Sequence, residues 1–407
     1  MVLGIIAEYN PFHNGHLYHL LKSKEEAKAD YVVAVIGGNF TQRGEASLID
    51  KWTKAEMAIS NGVDLVIELP TLYSTSSAEN FADGAIKILN SLKIVDTISF
   101  GTETEDLNKL NNIANVLHNE PKEFKALLDE KLKKGLSFPK AREEALVNYL
   151  NEPSYSKLIS SPNNILAVEY LKALKKYKSK IKPICIKRKD AGHLSLEYTG
   201  EVTSATAIRK LVKDNDFKKA KKFLTPSSYT ILIEEIKKGH FVRDISAFEN
   251  IMIYNLRNMS LEEIANLPDV SEGLENLIKK AANSCNSIDE FINIVASKRY
   301  TETRIRRILL YSLLKITKKD MTLSKKTIPY IRVLGFNKNG KKLVSEISKA
   351  NPKLNIITSV KKFTDVNTNK NLSSILYKDI DATNIYTLGY KNDSWSNLDF
   401  TQKIHIK

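Results

Sequence analysis

His13 and His16 lie one helical turn apart in the stretch IIAEYNPFHNGHLYHL, residues 5–20. An apolar run leads into Asn10 and Pro11, which end a strand, and helical spacing begins near Asn14 and Gly15. The pattern His13-x-Gly15-His16 thus puts both imidazoles on one side of a first helical turn at the C-terminal end of a strand. Unpaired N–H groups and the helix dipole favour phosphate there, and Gly15 lets the backbone approach an anion closely. Two imidazole donors at that point would hold an α-phosphate and the charge developing on its leaving oxygens. A four-residue pattern is also what an ordinary capped helix with structural histidines displays, so its weight comes from its place after the first strand. No G-x-S-x-G elbow accompanies it, and Cys185 and Cys285 lack a partner motif. Thiol, zinc and disulfide chemistry are therefore not expected.

The elements that must position these residues follow from periodicity. Continuous apolar, β-rich runs at 3–9, 31–36, 64–69, 95–100 and 182–187 predict strands buried on both faces. Helical spacing at 15–29, 51–61, 78–92 and 162–177 fills the connections. The pattern predicts an α/β fold, a doubly wound parallel sheet, in a catalytic domain of residues 1–240. Residues 106–151 are too long for a simple connection and form a helical insertion, long enough to act as a lid. Residues 241–322 show helical spacing without strand signals. The remainder, 323–407, predicts a small basic α/β domain, with strands at 330–335 and 354–360 around a helix at 340–350.

The 407 residues carry 62 Lys and Arg against 47 Asp and Glu, a net charge of +15. Residues 1–290 are balanced, so the excess lies wholly in 291–407. A neutral body with a basic end suits a polyanion such as nucleic acid; a Lys-rich solvated surface is the plainer alternative. No apolar run approaches the roughly 18 to 20 residues of a membrane helix, and no basic leader or cleavage site opens the chain. A cytoplasmic protein without a membrane partner is expected.

The HxGH pattern resembles that of the class I aminoacyl-tRNA synthetase and nucleotidyltransferase superfamily, whose HUP-like Rossmann core supports attack on the α-phosphate of a nucleoside triphosphate. The superfamily has a second signature after the last strand, of the type Ser-Ser-Thr-x-Ile-Arg. Residues 203–209 read TSATAIR, so Ser204, Thr206 and Arg209 match while Ala205 replaces a hydroxyl. By resemblance this segment opens a helix that binds the β- and γ-phosphates.

Longer strings narrow the family. GIIAEYNPFHNGH (4–16), GNFTQRGEASLIDKWTKAEMAISNGVDLVIELP (38–70), SAENFADGAIKILNSL (77–92), SFGTE (99–103), SSPNNILAVEYLKAL (160–174) and SKRYTETRIRRILLYSLL (297–314) together resemble the tRNA(Met) cytidine acetate ligase family. The resemblance implies ATP-dependent activation of acetate as acetyl-adenylate, with Mg2+ on the phosphates. Acetyl then passes to the wobble cytidine of elongator tRNA(Met). It places an ATP loop on Ala7, Glu8, Tyr9, Asn10, Pro11, Phe12, His13, Asn14, Gly15, His16, Leu17, Tyr18, His19 and Leu20, and further ATP contacts on Gly101, Asn163 and Arg188. His13 and His16 are the implied catalytic residues.

For the tRNA, Lys298, Arg299, Arg304, Arg306 and Arg307 crowd one helical stretch beside Tyr300, with only Glu302 nearby in sequence. Tyr9, Asn10, Asn39, Gln42 and Lys51, near strand ends or the next helix, are candidates for the border of the acetate or cytidine pocket. Two other functions remain open on the residues alone: a small-molecule adenylyltransferase, against which the long basic extension argues, and a noncatalytic RNA-binding protein with a relict nucleotide pocket.

Overall fold

Apolar runs without polar alternation make strands that need cover on both faces. The computed structural model, described for residues 1–188, 203–271, 273–327, 330–392 and 395–407, builds its sheet from them. β1 (Val2–Ala7) leads to α1 (Asn14–Glu26), β2 (Tyr31–Gly37) to α2 (Lys51–Ser60), and β3 (Leu65–Leu69) to α3 (Ala78–Leu92). β4 (Thr97–Thr102) is followed by α4 (Leu107–Asn119), α5 (Lys122–Lys133), α6 (Phe138–Leu150), a short helix Ser154–Ser160, α7 (Pro162–Lys176) and β5 (Lys182–Lys187). The five strands are parallel in the order β5-β4-β1-β2-β3. Chain direction across the sheet reverses at β1, so the crevice beyond the C-terminal ends of β1 and β4 is the switch point where such sheets bind ligands. Leu3, Ile5, Val32, Ala34 and Ile36 pack on one face with residues of α2, while Ile6, Val33, Val35, Ile98 and Phe100 pack on the other with α3 and α7. Each such buried side chain contributes about 1.5–3 kcal/mol. The doubly wound sheet expected from the sequence is present.

The insertion is helical, as its length demands. Its apolar stripe, with Leu110, Ile113 and Ala114 of α4, joins the core beside α7. No residue of 106–151 lines the central cavity. The insertion therefore thickens the outer layer beside α7.

Helices continue through α8 (Ala205–Lys213), α9 (Phe217–Phe223), α10 (Glu249–Asn258), α11 (Leu274–Ser284), α12 (Ile288–Val295) and α13 (Glu302–Leu313). Much of this stretch packs into a core around Phe248, Met252, Leu256, Phe291 and Leu310 that it shares with Phe40 and Leu72 and with Leu376 and Tyr386 of the C-terminal part. The C-terminal part differs from expectation. Its elements are β6 (Ile331–Phe336), α14 (Lys338–Ala350), β7 (Ile356–Ile357), α15 (Lys370–Tyr386), α16 (Leu398–Thr401) and β8 (His405–Ile406). They form no separate small α/β domain: β6 pairs antiparallel with β3, and β7 and β8 pair with β6, so all three extend the first sheet. The physical reason is that a lone strand pair is marginal in water, whereas the open edge of β3 offers a full ladder and a buried face. Among the described residues no helix is long and apolar enough to cross a membrane.

Candidate active site at the switch point

The turn after β1 is built by short-range contacts. Tyr9 has φ 47°, in the left-handed region that costs a non-glycine residue about 1–2 kcal/mol. Its ring, almost fully buried, rests 4.8 Å from that of Phe12 and 5.0 Å from that of His16. His13 caps α1: its Nδ1 accepts the Gly15 N–H at 3.0 Å, and His16 Nδ1 accepts the His13 N–H at 3.3 Å. The two rings are 3.8 Å apart.

Those bonds settle what the imidazoles can do. A neutral ring whose Nδ1 accepts a bond carries its proton on Nε2, so each histidine carries an Nε2–H donor, with the Pro11 carbonyl also within reach of the His16 ring. Both rings are held neutral. Burial, then Arg188 and Arg209, bring the His13 pKa down to about 3. Burial, then His13, Arg188 and His19, hold His16 well below the usual range. The pair acts as neutral donors beside fixed arginine charge. Accordingly, 15N spectra of the imidazoles should show the Nε2–H tautomer for both, without protonation between pH 8 and 5. A resonance titrating near 6.5 for either ring contradicts this.

A cavity of about 600 Å³ opens in front of these rings. Of the expected ATP residues, Ala7, Glu8, Tyr9, His13, Gly15, His16, Tyr18, His19, Gly101, Asn163 and Arg188 line it. Gly101, in β4, leaves room for Arg188: a methyl group there would stand 3.3 Å from Arg188 Cγ. Asn163 is held at the start of α7, where its Nδ2–H donates to Glu103 Oε1 at 2.6 Å. Glu103 also accepts the Asn163 and Asn164 N–H groups. Glu103, within the string SFGTE, is thus a carboxylate at the N-terminus of α7, a contact across 60 residues that local spacing does not show. His19 Nε2 sits 3.2 Å from Ser99 Oγ and 3.4 Å from Ser23 Oγ, and burial brings its pKa down to about 4.

The other expected residues do not line this cavity. Pro11, Phe12 and Leu20 are buried, and Leu17 packs against the same cluster. Asn10 Oδ1 accepts the Leu48 N–H at 2.7 Å, and its carbonyl accepts from Arg209 Nη1 at 2.9 Å. Arg209 also donates to Thr206 Oγ1 at 3.1 Å, and Ser204 caps α8 by accepting the Ala207 N–H. The TSATAIR segment is thereby tied to the histidine turn, and its first residue, Thr203, lines the cavity. Asn14 Nδ2 donates to the Lys222 carbonyl at 3.0 Å, tying the start of α1 to α9.

Two pocket candidates lie elsewhere. Lys51 is fully buried, 2.9 Å from Glu68 Oε1 and 2.8 Å from Asp399 Oδ1. Asn39 Oδ1 accepts the Lys51 N–H, and its Nδ2–H donates to Thr383 Oγ1 at 3.2 Å. Both are structural, because α15 and α16 cover this end of the sheet. Gln42 does line the cavity, together with Arg43 and Thr303, which were missed. Gly44 explains their presence: at φ +76° its Cα packs so close to α13 that a methyl group would fall 2.6 Å from the Arg306 backbone. The only sequence signal was the unusual string around Arg43.

The expected tRNA arginines have acidic and carbonyl neighbours that linear spacing did not show. Arg306 reaches Glu45 at 3.0 Å and Glu302 at 2.8 Å. Arg307 is buried against Asp269 at 2.7 Å. Arg304 donates to the Asp269 carbonyl and to Ser271 Oγ. Lys298 and Arg299 are exposed, and the guanidinium groups of Arg299 and Arg304 lie 5.8 and 5.1 Å from the Tyr300 ring. Arg306 and Arg307 thus fasten α13 to its neighbours.

The HIGH Nucleotidyl Transferase family matches residues 1–399. A tRNA(Met) cytidine acetate ligase of Thermoanaerobacter sp. (strain X514) is 50% identical over 400 residues, covering 98% of each chain. One from Acetivibrio thermocellus is 43% identical over 416 residues, covering 100% of this chain and 99% of the relative. Among solved structures, Thermotoga maritima TmcAL bound with alpha-thio ATP is 35% identical, with a TM-score of 0.93 over 100% of this chain and 99% of the other.

Proposed function

The chain belongs to the HIGH nucleotidyl transferase family and to the tRNA(Met) cytidine acetate ligases, and from that membership we propose its reaction. ATP activates acetate as acetyl-adenylate with release of pyrophosphate. The acetyl group then passes to the exocyclic amine of the wobble cytidine of elongator tRNA(Met), giving N4-acetylcytidine. The observation that carries this reading is the pair of neutral Nε2–H donors at the switch point, faced by Arg188 and backed by Arg209.

In this reading the α-phosphate lies at the N-terminus of α1, where His13 and His16 donate to the oxygens that gain charge as acetate attacks in line. Arg188 and Arg209 offset the remaining phosphate charge, and Gly101 with Asn163 borders the nucleotide. Tyr9 and Gln42 stay as candidates for the acetate or cytidine border. Acetate needs positioning rather than deprotonation, so the first step requires no protein nucleophile. Burial raises the thiol pKa of both Cys185 and Cys285, which suits neither to that task. Among the described residues no three His, Cys, Asp or Glu side chains gather as a metal site. Magnesium is proposed to arrive with the substrate, as MgATP. The substrates place the reaction in the cytoplasm.

For the RNA, Lys298, Arg299 and Arg304 remain proposed contacts at the Tyr300 rim. A second basic surface stands nearer the histidines. α9 exposes Lys218, Lys219, Lys221 and Lys222, none with an acidic partner among the described residues, and is tied to Asn14. Replacing Lys221 and Lys222 by Ala should weaken tRNA binding and lower its log–log salt slope by about one to two units. Arg306→Ala and Arg307→Ala should instead reduce thermal stability. Filter binding at graded salt decides this; an unchanged slope removes α9 from the RNA surface. The function itself is tested with labelled acetate, ATP and tRNA(Met): label should enter N4-acetylcytidine without coenzyme A, and label entering only from acetyl-coenzyme A excludes the ligase.

A further inference from the structure

Acyl transfer to a cytidine amine has a proton to dispose of. The N4 lone pair attacks the acetyl carbonyl carbon, a C–N bond forms, and the C–O bond to AMP breaks. The nitrogen becomes positively charged on attack and must lose a proton to yield a neutral amide. An amine as weakly basic as this one reacts faster when a positioned base takes that proton as the bond forms.

The cavity holds few groups that can accept one. His13 and His16 have Nδ1 engaged by backbone N–H groups and Nε2 protonated. His19 Nε2 is shared with the hydroxyls of Ser23 and Ser99. Arg43, Lys187 and Arg188 are cations, and burial drives the phenols of Tyr9 and Tyr170 upward, away from the ionised form. Among the described residues one carboxylate lines the cavity, that of Glu8. It follows the last residue of β1, is half-buried, and its Oε1 accepts the Gln42 N–H at 2.8 Å. Oε2 has no hydrogen-bond partner among the described residues, and the charges of Arg209 and Lys54 lie within electrostatic range of the carboxylate. The same bond joins Glu8 to the loop that carries Arg43, so the carboxylate and this cationic border are set in one unit.

We infer that Glu8 is the general base of the second half-reaction, taking the N4 proton of cytidine as AMP leaves and later releasing it to solvent. This goes beyond nucleotide binding and rests on the ligase reading above. Single-turnover assays on the full chain separate the steps: pyrophosphate release from ATP and labelled acetate reports adenylate formation, and label passing to added tRNA(Met) reports transfer. Glu8→Gln keeps an amide oxygen for the Gln42 N–H. Its transfer rate should fall about 100-fold or more, far beyond its loss in adenylate formation, with labelled adenylate accumulating. Glu8→Asp, which keeps a carboxylate on a shorter stem, should restore part of the transfer rate that Glu8→Gln loses. Equal losses in both half-reactions, or a Glu8→Asp protein no better at transfer than Glu8→Gln, overturn the inference. Wild-type protein forming no adenylate from acetate and ATP overturns the ligase reading itself, and the inference with it.

Discussion

His16→Ala should lower the rate of acetyl-adenylate formation by about 100- to 1,000-fold, the usual consequence of losing one donor aimed at developing charge. The donor in question is Nε2–H, since Nδ1 is committed to the His13 N–H. The loss should appear chiefly in kcat, with ATP affinity changing much less, because the donor meets its full charge only in the transition state. The substitution also removes half of a capping box and a ring contact with His13. That costs about 1 kcal/mol, too little to unfold the chain. His16→Gln places an amide donor near the position of Nε2 and should recover part of the rate. A His16→Ala protein with native circular dichroism and wild-type pyrophosphate release would remove His16 from catalysis.

The second large effect concerns stability. Lys51, Glu68, Arg332 and Asp399 are all nearly inaccessible, and they interlock α2, β3, β6 and α16. Glu68 and Arg332 face each other across the β3–β6 ladder. Burial tends to raise the Asp399 carboxyl, but Lys51 and Arg332 outweigh it and hold it below its ordinary value, so it is ionised. Asp399→Ala leaves two buried cations with a single carboxylate between them. Breaking one member of such a cluster costs about 3–5 kcal/mol. The thermal midpoint should fall by roughly 10 °C. Lys51→Met combined with Asp399→Leu should cost less than the sum of the single changes, because the pair is removed together. Additive losses in that cycle would show that the cluster is not a unit.

The nucleotide turn was legible in the sequence because its determinants are local. Strand, Asn10, Pro11, His13 and Gly15 lie within one short stretch, and the cap, both imidazole tautomers and their spacing arise from bonds spanning two or three residues. The five parallel strands were legible for a related reason: cover on both faces demands uninterrupted apolar runs, and such runs are visible without knowing their partners.

What the sequence could not show was which distant partner each charge and edge would meet. The arginines of α13 looked like a free basic face, yet the fold brings Glu45 and Asp269 to them. Lys51 looked like a pocket residue, yet Asp399, 348 positions away, closes over it. The C-terminal strands looked like a domain of their own, yet the open edge of β3 receives them. A charge or a strand edge is complementary to many partners, and its position in the chain does not say which. That choice was made when tertiary packing buried these groups against the specific neighbours able to satisfy them.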